Sequence, residues 1–92
     1  MSEEQLSMVE EMAGLFFPPE MIAVNLELSE EDKEQFILGV IMDCTEIPIV
    51  AAYYKGRLQS EIELRRSIKQ SANNGSSPSQ QMMLNFKRES TR

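Results

Sequence analysis

Four prolines constrain the fold of this chain more than any other feature. A proline ends a helix that runs into it, but it fits well in the first turn of a new one. Pro18 and Pro19 therefore separate a first helix, at about residues 3–15, from a short second helix at about 19–26. Pro78, which follows Ser77, marks the beginning of a last helix. The chain is expected to form several helices, most of them short.

Apolar residues recur at helical spacing within the first segments. Ser2 and Gln5 form a capping box at the beginning of the first helix, and Ser29 caps a third helix. The apolar residues of the first helix are Leu6, Met8, Val9, Met12, Ala13, Leu15 and Phe16. Those of the second are Met21, Ile22 and Leu26, and those of the third are Phe36, Ile37, Val40, Ile41 and Cys44.

Residues 36–54 admit two interpretations. The segment is largely apolar and partly β-branched, so a hairpin that turns at residues 43–46 is one possibility. Pro48 argues against it, because a proline inside the second strand donates no hydrogen bond to its neighbour. The pattern from Ser29 onward also continues directly into a helix. Helix is favoured over strand, and both remain open at this point.

A longer helix is predicted at about residues 48–72, ended by Asn73-Asn74-Gly75. It carries two apolar stripes, which predict a central helix packed on two sides, and an Arg57–Glu61 pair at i,i+4. Gly56 inside it predicts that another helix crosses closely there. The stripes are Val50, Tyr53, Leu64 and Ile68, then Tyr54, Leu58 and Ile62. Residues 89–92 are expected to fray.

Charge divides the chain. Residues 1–50 contain twelve acids and one base (net −11), whereas residues 51–92 contain eight bases and three acids (net +5). Such an asymmetry presents a positive surface to an anionic partner or docks one half on the other. The bases Lys55, Arg66 and Lys69 fall within one sector of the long helix at 100° per residue, which indicates a basic patch.

Several classes of function are excluded. The chain has no histidine, and its single cysteine, Cys44, has no neighbouring base to activate it. The acidic run at residues 30–34 lacks the glycine and alternating ligands of a calcium loop. The longest apolar runs are too short to cross a bilayer, and one cysteine suits a reducing cytoplasm. We therefore expect no enzyme, metal, cofactor or membrane partner, and a cytoplasmic location.

An ordered set of motifs resembles the small terminase subunits and related phage DNA-packaging proteins. The set begins with Met12-Ala13-Gly14-Leu15 and Pro19-Glu20-Met21-Ile22-Ala23, which lie where that family has a helix-turn-helix. It continues with Ala52-Tyr53-Tyr54-Lys55-Gly56-Arg57, then Glu63-Leu64-Arg65-Arg66-Ser67-Ile68, and ends with Ala72-Asn73-Asn74-Gly75-Ser76-Ser77-Pro78. The resemblance covers roughly residues 8–86.

The resemblance implies a non-enzymatic, oligomeric protein that binds double-stranded viral DNA and delivers it to the large terminase subunit in a bacterial cell.

The fold expected is an all-α bundle with an acidic helix-turn-helix-like unit at 1–46 and a basic long helix plus short helix at 47–92, together one compact domain. The third helix, with Lys33 and Gln35, would read the groove, but its four acids repel phosphate. DNA contact is instead assigned to Lys55, Arg57, Arg65, Arg66, Lys69, Lys87 and Arg88. The alternative is a small acidic helical module that binds only protein.

Overall fold

The computed structural model describes residues 1–90, in which five helices and no strand are present. The helices are α1 (Glu3–Gly14), α2 (Pro19–Asn25), α3 (Glu30–Ile41), α4 (Pro48–Asn73) and α5 (Ser77–Ser90). The all-α prediction is confirmed. The hairpin alternative at residues 36–54 is wrong, because α3 and the first turns of α4 occupy that segment. Pro48 is the first residue of α4, where its missing N–H costs nothing.

The helices begin at the residues that the sequence indicates. At α1 the Ser2 hydroxyl accepts from the Gln5 N–H at 3.2 Å, and the Gln5 side chain accepts from the Ser2 N–H at 3.0 Å. At α3 the Ser29 hydroxyl accepts from the Asp32 N–H at 3.2 Å. Three acids occupy the first turn of α3, where they interact favourably with the partial positive charge of the helix N-terminus.

The first four helices end in the same way. In each, a residue with positive φ follows the C-cap, and its N–H and the next N–H bond back to carbonyls of the last turn, which is the Schellman motif. Gly75, with φ of 94°, fills this position after α4. After α1, α2 and α3 the position holds non-glycine residues, namely Phe16 (φ 66°), Glu27 (φ 55°) and Asp43 (φ 55°). The outer bonds are Phe17 N–H to Met12, Leu28 N–H to Ala23, Cys44 N–H to Gly39 and Ser76 N–H to Ser71.

The chain forms two compact units, Met1–Ser60 and Glu61–Arg92. Their boundary lies inside α4, whereas the boundary predicted near residue 46 precedes that helix. The difference arises because the first turns of α4 contribute Val50 and Tyr53 to the core of the first unit. The change in charge along the chain therefore does not mark the structural boundary.

The core of the first unit is small. Phe36 lies at its centre, fully buried, with its ring edge-on to Tyr53 at a centroid distance of 5.9 Å. Gly39 brings α3 close to α4, since a Cβ there would lie 2.7 Å from Val50 Cγ2. α2 packs against both α1 and α3. The buried set is Val9, Ala13, Ile22, Ala23, Phe36, Val50 and Tyr53.

Several predicted core residues are instead exposed. The end of the first apolar face is open, with Leu15 65% and Phe16 51% exposed, and so are Met21 (55%) and Ile41 (70%). On α4 the second stripe is covered only at Tyr54, whose hydroxyl donates to Val40 O at 3.2 Å and contacts Asp43 Oδ1. The exposed remainder of both stripes is Leu58 (61%), Ile62 (40%) and Leu64 (47%). The prediction of a helix packed on two sides therefore fails beyond Tyr54, because three short helices cover too little surface.

A close crossing of α1 and α4 confirms the prediction made for Gly56. The carbonyl of Glu10 occupies the space that a Cβ on Gly56 would take. One turn further along, Ser60 Oγ donates to Gly14 O at 2.6 Å, and a Cβ on Gly14 would lie 3.3 Å from Gly56 O. Small residues on both helices thus allow the two backbones to touch.

Candidate nucleic-acid interface

Seven bases from α4 and α5 are the candidate DNA contacts, and the structure places two of them in the first unit and five in the second. In the first unit, Lys55 is exposed and its Nζ lies 4.0 Å from Glu10 Oε1. At the surface such a pair contributes about 0–1 kcal/mol, so Lys55 remains available to solvent and to an anion.

Arg57 is used in packing. Its guanidinium lies over two aromatic rings, 5.4 Å from the centroid of Phe16 and 5.1 Å from that of Tyr53. One terminal nitrogen donates to Phe17 O at 3.4 Å, while Nε is buried and has no hydrogen-bond partner among residues 1–90. The predicted Arg57–Glu61 pair is therefore wrong. Arg57 extends toward the α1–α2 loop, where two ring faces and a carbonyl hold it.

Arg65 is the residue that pairs with Glu61. Its Nε donates to Glu61 Oε1 at 3.2 Å, in the favourable i,i+4 order with the acid first. A terminal nitrogen lies 3.7 Å from Glu89 Oε2, and the guanidinium stacks on the Phe86 ring at 4.0 Å. Arg65 therefore joins α4 to α5 inside the second unit, and two carboxylates already neutralise its charge.

The other four candidate contacts in the second unit, Arg66, Lys69, Lys87 and Arg88, are all exposed. Counted over the whole sequence, residues 1–60 hold twelve acids and three bases (net −9), and residues 61–92 hold three acids and six bases (net +3). A phosphate backbone is attracted to the second unit and repelled by the first.

Helix α3 remains a poor surface for DNA. Lys33 is half-buried and Gln35 is exposed, but Glu30, Glu31 and Asp32 fill the first turn beside them. These acids would face the phosphates that flank any groove the helix entered.

A groove in the second unit contains residues that the sequence analysis did not single out. It has a volume of about 740 Å³ and lies between the last turns of α4 and α5. Lys69 and Lys87 are two of its lining residues. The others are Arg65, Ala72, Asn73, Gln80, Met83, Leu84, Phe86 and Ser90. Helical wheels of residues 48–73 and 77–90 place these residues on one face of each helix. They predict a groove only if the turn at Gly75 folds α5 back against α4.

No metal-binding cluster is found in residues 1–90. The structure there brings together no group of three or more Cys, Asp or Glu side chains that could hold a metal ion. Cys44 is half-buried, with Sγ 3.9 Å from Met42 O. None of the helices in the same part of the chain combines the length and the hydropathy that crossing a membrane requires.

Searches of the chain against protein-family models, curated proteins and solved structures all find no match.

Proposed function

We propose that this chain is a non-enzymatic phage DNA-packaging protein of the small-terminase type. It acts as an oligomer, binds double-stranded DNA through its second unit and presents that DNA to the large terminase subunit. The observation that supports DNA binding is the placement of Arg66, Lys69, Lys87 and Arg88 as exposed bases on the unit with a net charge of +3. The motifs of residues 8–86 that resemble the family supply the packaging role.

Electrostatics favours this contact over a groove-reading α3. Each phosphate contact by a base releases condensed counterions, so log affinity falls with log salt at a slope of about −0.9 per contact. Four exposed bases therefore predict a slope of about −3.6, whereas an acidic α3 supplies none. The first unit, with its excess of acids, is repelled by the phosphates and adds no attraction of its own.

The test is DNA binding by fluorescence anisotropy over a series of salt concentrations. Arg66→Glu should weaken binding and reduce the slope by about 0.9, because one phosphate contact is lost. Lys33→Glu on α3 is the matched control and should leave the slope unchanged. A chain that fails to bind duplex at low salt, or that loses binding only with Lys33→Glu, contradicts the proposal.

A second candidate function is a helical module that binds protein and no DNA. The observation that favours it is the number of exposed large apolar side chains, which include Val24 at 68%, Ile41 at 70% and Met42 at 71% exposure. Exposed apolar residues in contiguous patches commonly mark protein interfaces. Absence of DNA binding at every salt concentration, in a protein that remains folded, would favour this second function.

A further inference from the structure

The second unit has too little material to bury an apolar core. It consists of the last part of α4 and all of α5, and α5 has no buried residue as far as Ser90. On α4, Ile68 is buried at 9% exposure. Two packed helices leave one side of each apolar stripe uncovered, and a third element is the usual means of covering both.

The uncovered side is the groove between the two helices. Ala72, Met83, Leu84 and Phe86 contribute apolar surface to it, and Leu84 is 48% exposed. Methionine adapts its shape to whatever packs against it, which suits a docking surface. The Arg65 guanidinium covers one face of the Phe86 ring, so the shape of this part of the groove is fixed in advance.

The groove also carries positive charge. Lys69 on α4 and Lys87 on α5 line it together with Arg65, and no carboxylate is among the residues that line it in the described chain. Arg65 is neutralised by Glu61 and Glu89, while Lys69 and Lys87 are exposed. An occupant must therefore combine an apolar stripe with flanking negative charge.

We propose that this groove binds one acidic amphipathic helix of a protein partner. The apolar stripe of that helix packs on Met83, Leu84 and Phe86, and its Asp or Glu residues pair with Lys69 and Lys87. The groove follows α4 from Arg65 to Asn73, which at 1.5 Å per residue is about 12 Å, so about two turns of a helix fill it. Docking of this kind shares Lys69 and Lys87 with the proposed DNA contact, but it also needs the apolar residues Met83, Leu84 and Phe86, which DNA binding does not.

DNA and the chain itself are poorer occupants of the groove. A phosphate backbone gains nothing from Met83 and Leu84, whose burial requires an apolar surface. Helices α1 and α3 of a second copy have Val9, Ala13 and Phe36 buried in the first unit. Their most exposed apolar residues, Leu15 and Ile41, lie at the C-terminal ends of the two helices, whereas the acids of the first turns lie at the opposite ends. A separate protein is therefore the occupant that matches both the apolar and the charged residues.

The experiment uses a labelled synthetic helix of about 14 residues, about 21 Å long, with leucines at i, i+3, i+4 and i+7 and glutamates beside them. Binding to the full chain is followed by fluorescence anisotropy. We expect saturable binding that weakens at least tenfold in Leu84→Glu. Leu38→Glu in the first unit is the matched control, since Leu38 is exposed to a similar extent at 51%, and should bind as the unchanged chain does.

A charge exchange tests the pairing itself. The same peptide with lysines in place of the glutamates should not bind the unchanged chain. It should bind the double variant Lys69→Glu and Lys87→Glu, which in turn should lose the glutamate peptide. A peptide of equal composition without the apolar stripe should bind neither form.

Three results would overturn the proposal: no binding of the glutamate peptide, binding that Leu84→Glu leaves intact, or self-association that Leu84→Glu abolishes in light scattering. The last would assign the groove to a second copy. The salt dependence of DNA binding is measured on the same Leu84→Glu protein. Loss of peptide binding with DNA binding intact shows that the apolar residues serve the partner helix and not DNA, and failure of DNA binding alone leaves the groove assignment standing.

Discussion

At Gly56 the backbone of α1 occupies the volume that any side chain would need. Helix propensity alone predicts that Gly56→Ala stabilises α4 by about 1 kcal/mol. The contact with the Glu10 carbonyl reverses that sign, because a backbone atom cannot move aside as a flexible side chain does. We expect Gly56→Ala to lower the free energy of unfolding by about 2–3 kcal/mol, measured by urea denaturation.

The control for this substitution lies on the same helix. Ala51 is exposed, so Ala51→Gly changes only the helix propensity and should cost about 1 kcal/mol. If both exchanges follow propensity, with Gly56→Ala stabilising the protein, then the close crossing of α1 and α4 is refuted.

Two arginines of α4 differ in role despite their similar sequence context. Arg57→Ala removes two ring contacts and a hydrogen bond to Phe17 O, so we expect a loss of about 1–2 kcal/mol in the free energy of unfolding. It should leave the salt slope of DNA binding unchanged. Arg66→Ala, at an exposed position, should change stability by less than about 0.5 kcal/mol while reducing that slope by about 0.9. An equal effect of both on DNA binding would contradict the division.

At the scale of the elements, the helix ends are the least usual feature. Three of the four Schellman motifs place a non-glycine residue in the left-handed region, which costs about 1–2 kcal/mol each. Glu27 is the simplest to replace, since Phe16 contacts Arg57 and Asp43 contacts Tyr54. Glu27→Gly should raise the free energy of unfolding by about 0.5–1 kcal/mol after the added freedom of the unfolded chain is subtracted.

Thermal denaturation followed by circular dichroism measures this gain. Glu34→Gly, in the interior of α3, makes the same chemical change at a helical φ and should instead cost about 1 kcal/mol. Destabilisation by both exchanges would show that Glu27 gains nothing from glycine and that the left-handed geometry there is not strained.

The helix ends also show where sequence reasoning succeeds and fails. Helix starts were predictable, because Ser2, Ser29 and the prolines satisfy or remove orphan N–H groups through local chemistry. Among the helix ends, only that of α4 has the usual sequence signal, which is a glycine after the C-cap, here Gly75. The other three follow from an apolar residue two positions after the C-cap, namely Phe17, Leu28 and Cys44, which the sequence analysis did not use.

The candidate site was predictable in its residues but not in their roles. Charge and spacing along one helix identified the bases, including the four that are exposed. Spacing alone could not show that Arg57 contacts Phe16, 41 positions earlier in the chain. Nor could it show that Glu61 pairs with Arg65 and not with Arg57. Such choices depend on which rings and carboxylates the tertiary fold brings near, and a one-dimensional pattern does not contain that information.

At the scale of the whole molecule, the first unit carries a net charge of −9 with little pairing. Among its described residues the structure shows one ion pair, Lys55 with Glu10 at 4.0 Å. Added salt screens the remaining repulsion, so we expect the melting temperature to rise by about 4 °C between low and moderate salt, equivalent to up to about 1 kcal/mol. DNA binding should weaken over the same range. A melting temperature that falls with salt would mean that attractive pairs dominate the first unit.

The pairing of Phe36 with Tyr53, and of Tyr53 with Tyr54, has a spectroscopic consequence. Tyr53 and Tyr54 are the only tyrosines in a chain without tryptophan, and both belong to the first unit. Intrinsic emission therefore reports on the first unit alone, whereas far-ultraviolet circular dichroism averages over all five helices. Unfolding curves recorded with the two signals coincide only if the units melt together, so the unlabelled protein carries its own probe of cooperativity.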